Sequence, residues 1–296
     1  MSGVQATFDA IGTRWDIRIH ETIERRTWSQ LLGRIRARIA AFDIAYSRFR
    51  SDSLVAAMAQ QAGQYTLPPD GPKLLQFYEQ LYQATSGKLT PLAGQLLADA
   101  GYDADYSFTS RPLQPTPKWE DVLSYSKRRL TLRRPALLDF GAAGKGYLID
   151  IVGALLRAAG LDSYTINAGG DILHRSAERQ PLRVGLENPA DTSEVLGVVP
   201  IGNQSICASS GAKRSWPGFH HIIDPDTLRS PEQLMATWVV ARDTLVADGL
   251  ATALFFTPPD RLRRFFRFSY ATLDAQFGLS FSQDFPVQLF AAGSPV

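Results

Sequence analysis

The sequence predicts an α+β fold, on three observations. Strand-like and helix-like segments are mixed along the chain without the regular alternation that builds a doubly wound parallel sheet. Residues 163–241 form a long tract of short apolar or alternating pieces broken by glycine and proline, the pattern of strands joined by turns. Helical periodicity is confined to separate blocks on either side of that tract.

Each element has its own reason. Arg14 to His20 alternates, with Trp15, Ile17 and Ile19 on one face, and is expected to be an early strand. Thr27 and Gln30 have capping-box spacing and set the expected start of a helix whose inner face is Leu31, Ile35, Ile39, Phe42 and Tyr46. Its Arg34, Arg36 and Arg38 side reads as a solvated face. Pro72 opens a second amphipathic helix through Leu75, Tyr78, Leu81 and Tyr82, stopped by Gly87. Prolines across 111–118 mark a surface loop, and short strands follow over 121–132 around a turn at Ser126 to Arg129. A short apolar strand is expected to end at Asp139 and Phe140. A glycine loop follows, with Gly141, Gly144 and Gly146 around Lys145, and helical periodicity resumes at Leu148, Ile151, Val152, Leu155 and Leu156 until Gly160. Beyond the β tract, Asp243 to Phe256 is a predicted helix ended by Pro258-Pro259, and Ser269 to Phe290 alternates again.

Composition removes several function classes. With 296 residues, 45% of them hydrophobic, the chain has core enough for one large domain over 1–296, with room for two intertwined lobes. A net charge of +2 is no electrostatic footprint for nucleic acid, so no nucleic-acid partner is expected. Cys207 is the single cysteine; it allows no internal disulfide and no thiolate metal site, and it reads as core. No apolar run reaches the roughly 18 residues of a transmembrane segment. The first residues carry no basic start, apolar stretch or lipid-attachment cysteine. The sequence as it stands therefore predicts a cytoplasmic protein, or a periplasmic one had a signal been removed.

The glycine loop is the centre of the chemical reading. Small residues let backbone approach a ligand closely, a helix start offers unpaired N–H groups, and Lys145 adds a cation, which together suit a phosphorylated ligand. The familiar nucleotide folds do not fit. A P-loop needs a glycine where Asp139 stands and a hydroxyl residue where Gly146 stands. Asp139-Phe140-Gly141 lacks the other kinase signatures. Asp248 and Thr252, at i and i+4 on the predicted helix, put a carboxylate and a hydroxyl on one apolar-flanked face. That pair suits magnesium, or simply an Asp–Thr hydrogen bond. In His220-His221-Ile222-Ile223-Asp224-Pro225 a histidine could take a proton from a hydroxyl nucleophile, or serve structurally. Asn167-Ala168-Gly169-Gly170-Asp171 and Ala208-Ser209-Ser210-Gly211 read as two small-residue turns after strands.

In order, these segments resemble the FAD:protein FMN transferase (ApbE-like flavin transferase) family. The likeness runs from Ile11-Gly12-Thr13 through Tyr46-Ser47-Arg48-Phe49-Arg50-Ser51-Asp52-Ser53, the glycine loop and the two small-residue turns. It continues through His221-Ile222-Ile223-Asp224-Pro225 to Ala247-Asp248-Gly249-Leu250-Ala251-Thr252. The resemblance implies an ApbE-like (T-fold-like) architecture of mixed, mainly antiparallel sheets packed with helices. It implies Mg²⁺-dependent transfer of FMN from FAD to a Thr or Ser hydroxyl of an acceptor flavoprotein bearing a flavinylation motif, with release of AMP. Carried over by position, Asp248, Thr252 and the carbonyl of Gly144 would hold magnesium, and His221 would be the base. Lys145 would lie near the phosphates, and Ile11, Ser51, Asp52, Ser53, Thr90 and Tyr147 would line the FAD site. Thr90 stands where the family usually has aspartate, Gly144 where it more often has alanine, and Leu228 where a glycine normally follows Asp-Pro-x-Thr. Two alternatives use the same residues: hydrolysis of FAD to FMN and AMP with water as acceptor, and flavin binding without turnover.

Overall fold

The computed structural model describes residues 3–290, the side chain of Lys213 excepted; Met1 and Ser2, part of the N-terminal reading above, lie outside the described residues. The chain opens with a hairpin of β1 (Gln5–Ala10) and β2 (Thr13–Ile19), turned through left-handed backbone at Ile11 and Gly12. Strand β2 buries Trp15, Ile17 and Ile19, as its alternation predicts. Helix α1 (Arg25–Tyr46) starts before the expected cap. Glu24 is the N-cap residue and Thr27 donates its hydroxyl to the Glu24 carboxylate at 3.3 Å, so no Thr27–Gln30 box forms. The earlier start lets Trp28 join the buried face with Leu31 and Ile35.

Helix α2 (Leu54–Gln60) is too short to show a period in the sequence; Ser53 caps it by accepting from the Ala56 N–H at 2.9 Å. After β3 (Gly63–Thr66), the predicted helix appears as α3 (Gly71–Ala84), followed by α4 (Gly94–Asp99) and α5 (Trp119–Val122). Strand β5 (Arg129–Leu132) pairs with both β3 and β4 (Leu123–Ser126) in a small antiparallel sheet.

The segment ending at Asp139-Phe140 is not a strand. Its backbone bonds go singly to Met58 and Pro91 carbonyls, at 3.0 Å from the Ala136 N–H and 2.7 Å from the Asp139 N–H, so it threads between elements instead of joining a sheet. The glycine loop is correspondingly short, because α6 (Gly144–Ala158) takes Gly144, Lys145 and Gly146 into its first turn. Strands β6 (Tyr164–Ala168) and β7 (Asp171–Arg175) are joined by Gly169 and Gly170, both at positive φ. There follow β8 (Leu182–Glu187), β9 (Val195–Ile201) and β10 (Ser205–Ser210). Ala208 to Ser210 is therefore strand, not turn, with Ser210 in register with Ala236. A short hairpin of β11 (Ser215–Trp216) and β12 (Phe219–His220) leads to β13 (Leu234–Ala241). The remaining elements are α7 (Thr244–Ala253), α8 (Pro259–Leu262), β14 (Ser269–Asp274), β15 (Leu279–Phe281) and β16 (Gln288–Leu289).

An antiparallel sheet in the order β1-β2-β6-β7-β10-β13-β14-β15 organises the molecule. Helices α1, α3, α6 and α7 cover one face, where Ile35, Leu74, Leu81, Leu148, Val152 and Leu250 share a core with Val239. The other face packs Trp238 and Val240 against Leu186 of β8 and Val199 of β9. Strand β13 is thus covered on both sides and reads as a near-continuous apolar run, which hides its alternation in the sequence.

Contacts between α6 and α7 bring the two halves of the site together. The Asp150 carboxylate accepts from the Thr244 and Leu245 N–H groups, both at 2.9 Å, and caps α7 from the neighbouring helix. One turn earlier, Gly146 lies against α7 so closely that a Cβ there would strike the Thr244 carbonyl and come within 2.6 Å of the Asp248 Cβ. Gly146→Ala is expected to force the helices apart at a cost of about 1–3 kcal/mol. Thermal and urea denaturation should register this as lower stability; an unchanged melting temperature would mean that the close approach is dispensable.

Candidate active site

Two cavities meet where these helices, the α1–α2 connection and the β11–β12 hairpin converge. The smaller, about 210 Å³, is lined by Thr90, Lys145, Ser209, His221, Asp248 and Thr252 among others. The larger, about 680 Å³, is lined by Ile11, Arg48, Tyr106, Phe108 and Gly144 among others. Phe49, Tyr102, Asp139, Gly141, Lys145 and Arg214 line both and form the junction.

Helix α7 presents Asp248 and Thr252 to the smaller cavity, one turn apart as the i, i+4 spacing requires. Asp248 is buried, and its Oδ2 accepts from the Gly146 N–H at 2.7 Å, so the first turn of α6 holds the carboxylate in place. Burial pushes the Asp248 pKa up, while Lys145 and the Gly146 hydrogen bond pull it back. Thr252 Oγ1 lies 3.3 Å from the hydroxyl of Ser209, on β10, which adds a second hydroxyl at this wall. Cys207, two residues earlier, is buried with its thiol pKa pushed up by burial, in keeping with a core residue.

Lys145 lines both cavities, but its charge is already paired: Nζ forms an ion pair with the buried carboxylate of Asp171. Asp171 follows the Gly169-Gly170 turn at the start of β7, which aims it at α6. The turn motif was legible in the sequence, whereas this partner was not. Arg214, at the foot of the β11–β12 hairpin, donates Nη1 to the Tyr102 hydroxyl at 3.2 Å.

His221 follows that hairpin, tied by its N–H to the Arg214 carbonyl at 3.1 Å. Its Nδ1 is buried and has no hydrogen-bond partner among the described residues. Burial first, then the charges of Arg214 and His220, pull its pKa down to about 4. The ring is therefore neutral at neutral pH and can accept a proton. The turn after it is held by Lys88, whose Nζ pairs with Asp224 at 2.6 Å. Leu228 adopts the left-handed conformation (φ 56°) that glycine takes at least cost.

The remaining sequence candidates fall at different places. Thr90 lines the smaller cavity and caps a short 3₁₀ turn, accepting from the Leu92 N–H at 3.2 Å. Ile11 and Gly144 line the larger one, so Gly144 is not in the chamber of Asp248 and Thr252. Ser51, Asp52, Ser53 and Tyr147 line neither. Asp52 pairs with Arg50 at 2.8 Å, Ser53 caps α2, and Tyr147 is buried with its hydroxyl donating to the Asp70 carbonyl at 3.1 Å.

The sequence model of the ApbE family matches residues 11–277. The chain is 30% identical over 270 residues to the FAD:protein FMN transferase of Rhodobacter capsulatus, covering 85% of this chain and 51% of that one. It thus spans about half the length of that relative. Against the FAD:protein FMN transferase of Haemophilus influenzae, identity is 27% over 269 residues, 82% of this chain and 73% of the other. Among solved structures, the flavin transferase ApbE from Vibrio cholerae superposes with a TM-score of 0.79 at 20% identity, covering 95% of this chain and 96% of that one. The ApbE protein from Thermotoga maritima does so at 0.81 and 18% identity, over 95% and 97% of the two chains. The mixed helix and mainly antiparallel fold is therefore shared with these structures.

Proposed function

The chain belongs to the ApbE family, and on that premise we propose that it is an enzyme, a magnesium-dependent transferase that moves FMN from FAD to a Thr or Ser hydroxyl of an acceptor protein and releases AMP. The observation that carries this reading is the meeting of Asp248, Thr252, Lys145 and His221, from separate parts of the chain, on one cavity.

The residues present suit the metal. Asp248 and Thr252 offer hard oxygens, and Ser209 stands beside them. No cluster of three or more His, Cys, Asp or Glu side chains gathers among the described residues. A small protein donor set of this kind suits magnesium, which keeps waters or phosphate oxygens in its shell. Gly144, whose carbonyl the resemblance implies as a further donor, lines the adjoining chamber, so the reading rests on Asp248 and Thr252. When bound, magnesium would supply positive charge to the pyrophosphate oxygens.

The chain's own groups supply the rest. His221, held neutral, accepts the proton of the acceptor hydroxyl as its oxygen bonds to the FMN phosphorus. The bond between that phosphorus and the bridging oxygen breaks, and AMP leaves with the oxygen. Arg214 lines both chambers and has no carboxylate partner among the described residues, so its charge is free to face the phosphates. The Lys145–Asp171 pair is neutral as a whole, so Lys145 contributes N–H donors at the junction more than net charge.

The test is to incubate the protein with FAD, Mg²⁺ and peptides or domains that carry a flavinylation motif, and to look for a fluorescent covalent adduct. An adduct with equimolar AMP is expected. AMP without adduct would identify a hydrolase, and FAD retained unchanged a binding protein.

A further inference from the structure

Arg48 has hydrogen-bonding capacity that its surroundings do not use. Its side chain is only 2% exposed, and its Nε donates to Asp139 at 2.5 Å. Nη1 and Nη2 are buried and have no hydrogen-bond partner among the described residues. Asp139 uses one oxygen for the Arg48 Nε, and its other oxygen accepts from the Gly141 N–H at 2.7 Å. The rings of Phe49 and Tyr102 cover the guanidinium, at 4.2 and 4.8 Å, which leaves its N–H groups to act in the guanidinium plane. Buried donors without acceptors are costly, and a paired set in one plane matches the geometry of an oxyanion. Arg48 lines the larger cavity, next to the junction formed by Asp139, Gly141 and Arg214.

We propose that Arg48 is a substrate-binding residue that grips the phosphate of the departing nucleotide, the AMP half of FAD. This rests on the transferase reading above. His221 lines only the smaller chamber, so the acceptor hydroxyl enters from that side. In an in-line transfer the leaving oxygen lies opposite the attacking one. The departing phosphate therefore points across the junction towards the larger chamber. Two donors from Arg48 would meet its oxygens there as negative charge builds on them. Phe49 and Tyr102 hold the guanidinium flat for that contact.

Calorimetric titration of the full chain with AMP, adenosine and FMN tests the assignment, on the wild type and on Arg48→Lys. Lysine keeps a positive charge near Asp139 but cannot offer the paired amino groups. Arg48→Lys is expected to weaken AMP at least tenfold, leave adenosine unchanged and affect FMN less than AMP. Unchanged AMP affinity in a folded variant would make Arg48 a structural tie for Asp139. A larger loss for FMN would place Arg48 on the transferred phosphate, and wild type binding AMP no better than adenosine would remove the site. Each of these overturns the proposal. Should the variant not fold, a crystal of the wild type grown with AMP decides: its phosphate lies within hydrogen-bond distance of the Arg48 Nη atoms, or the proposal falls. Failure of the transferase reading looks different, with no covalent flavin formed while AMP binding still depends on Arg48.

Discussion

Asp248→Asn is expected to cut flavin transfer by about a hundredfold or more, the loss of roughly 3 kcal/mol of transition-state stabilisation when a charged metal ligand becomes neutral. Asparagine has nearly the same shape, and its carbonyl oxygen can still accept the Gly146 N–H that Asp248 accepts at 2.7 Å. Folding should therefore survive while magnesium affinity falls. Rates measured over a magnesium titration, with thermal denaturation as the control, separate the two effects. Wild-type rates at limiting Mg²⁺ would remove Asp248 from the metal site. Burial raises the Asp248 pKa, so protons compete with the metal more effectively than at an exposed aspartate. The magnesium concentration needed for half-maximal rate should accordingly rise as pH falls.

The second large effect is at His221. Removing a general base typically costs 10²–10⁴-fold in rate, and His221→Ala should lose about that much transfer with little change in FAD affinity. Equal losses in both would make the histidine a binding residue. The same side chain gives a stability signature. In the unfolded chain a histidine titrates near 6.5, whereas here burial, Arg214 and His220 bring His221 down to about 4. As pH falls through that window the unfolded chain takes the proton first. The stability present above 6.5 is therefore lost progressively towards 4, by about 3 kcal/mol in total. In His221→Ala that acid-side loss should shrink, and urea denaturation at a series of pH values measures the difference in slope. Identical slopes in wild type and variant would mean that His221 is not held neutral by the fold.

Much of the architecture could be read because it depends on periodicity that burial imposes locally. The apolar stripe of α1 and the alternation of β2 show directly which faces are inside. The element ends were harder. Thr27 and Gln30 looked like a cap, but burying Trp28 moved the helix start upstream to Glu24. The extended run into Asp139 looked like a strand because strand and threading segment share dihedral angles; only the partners of its N–H groups tell them apart. Ala208 to Ser210 looked like a turn because its residues are small, yet pairing with β13 carries the strand through them.

The candidate site divides along the same line. By itself, the sequence determined which chemistry was present: a carboxylate and a hydroxyl on one helical face, a lysine at a glycine-lined helix start, a histidine beside a turn, and the order of motifs that marks the family. Those properties live within a few residues of chain, where helix and turn geometry dictate who faces whom. Tertiary structure alone decided the partners. It paired Lys145 with Asp171, held Asp248 against the Gly146 N–H, left the Arg48 amino groups without acceptors among the described residues, and set His221 and Arg48 in adjoining chambers. Such pairings join residues far apart in the chain, and their energies come from burial and charge balance that exist only once the helices and the sheet have closed around them.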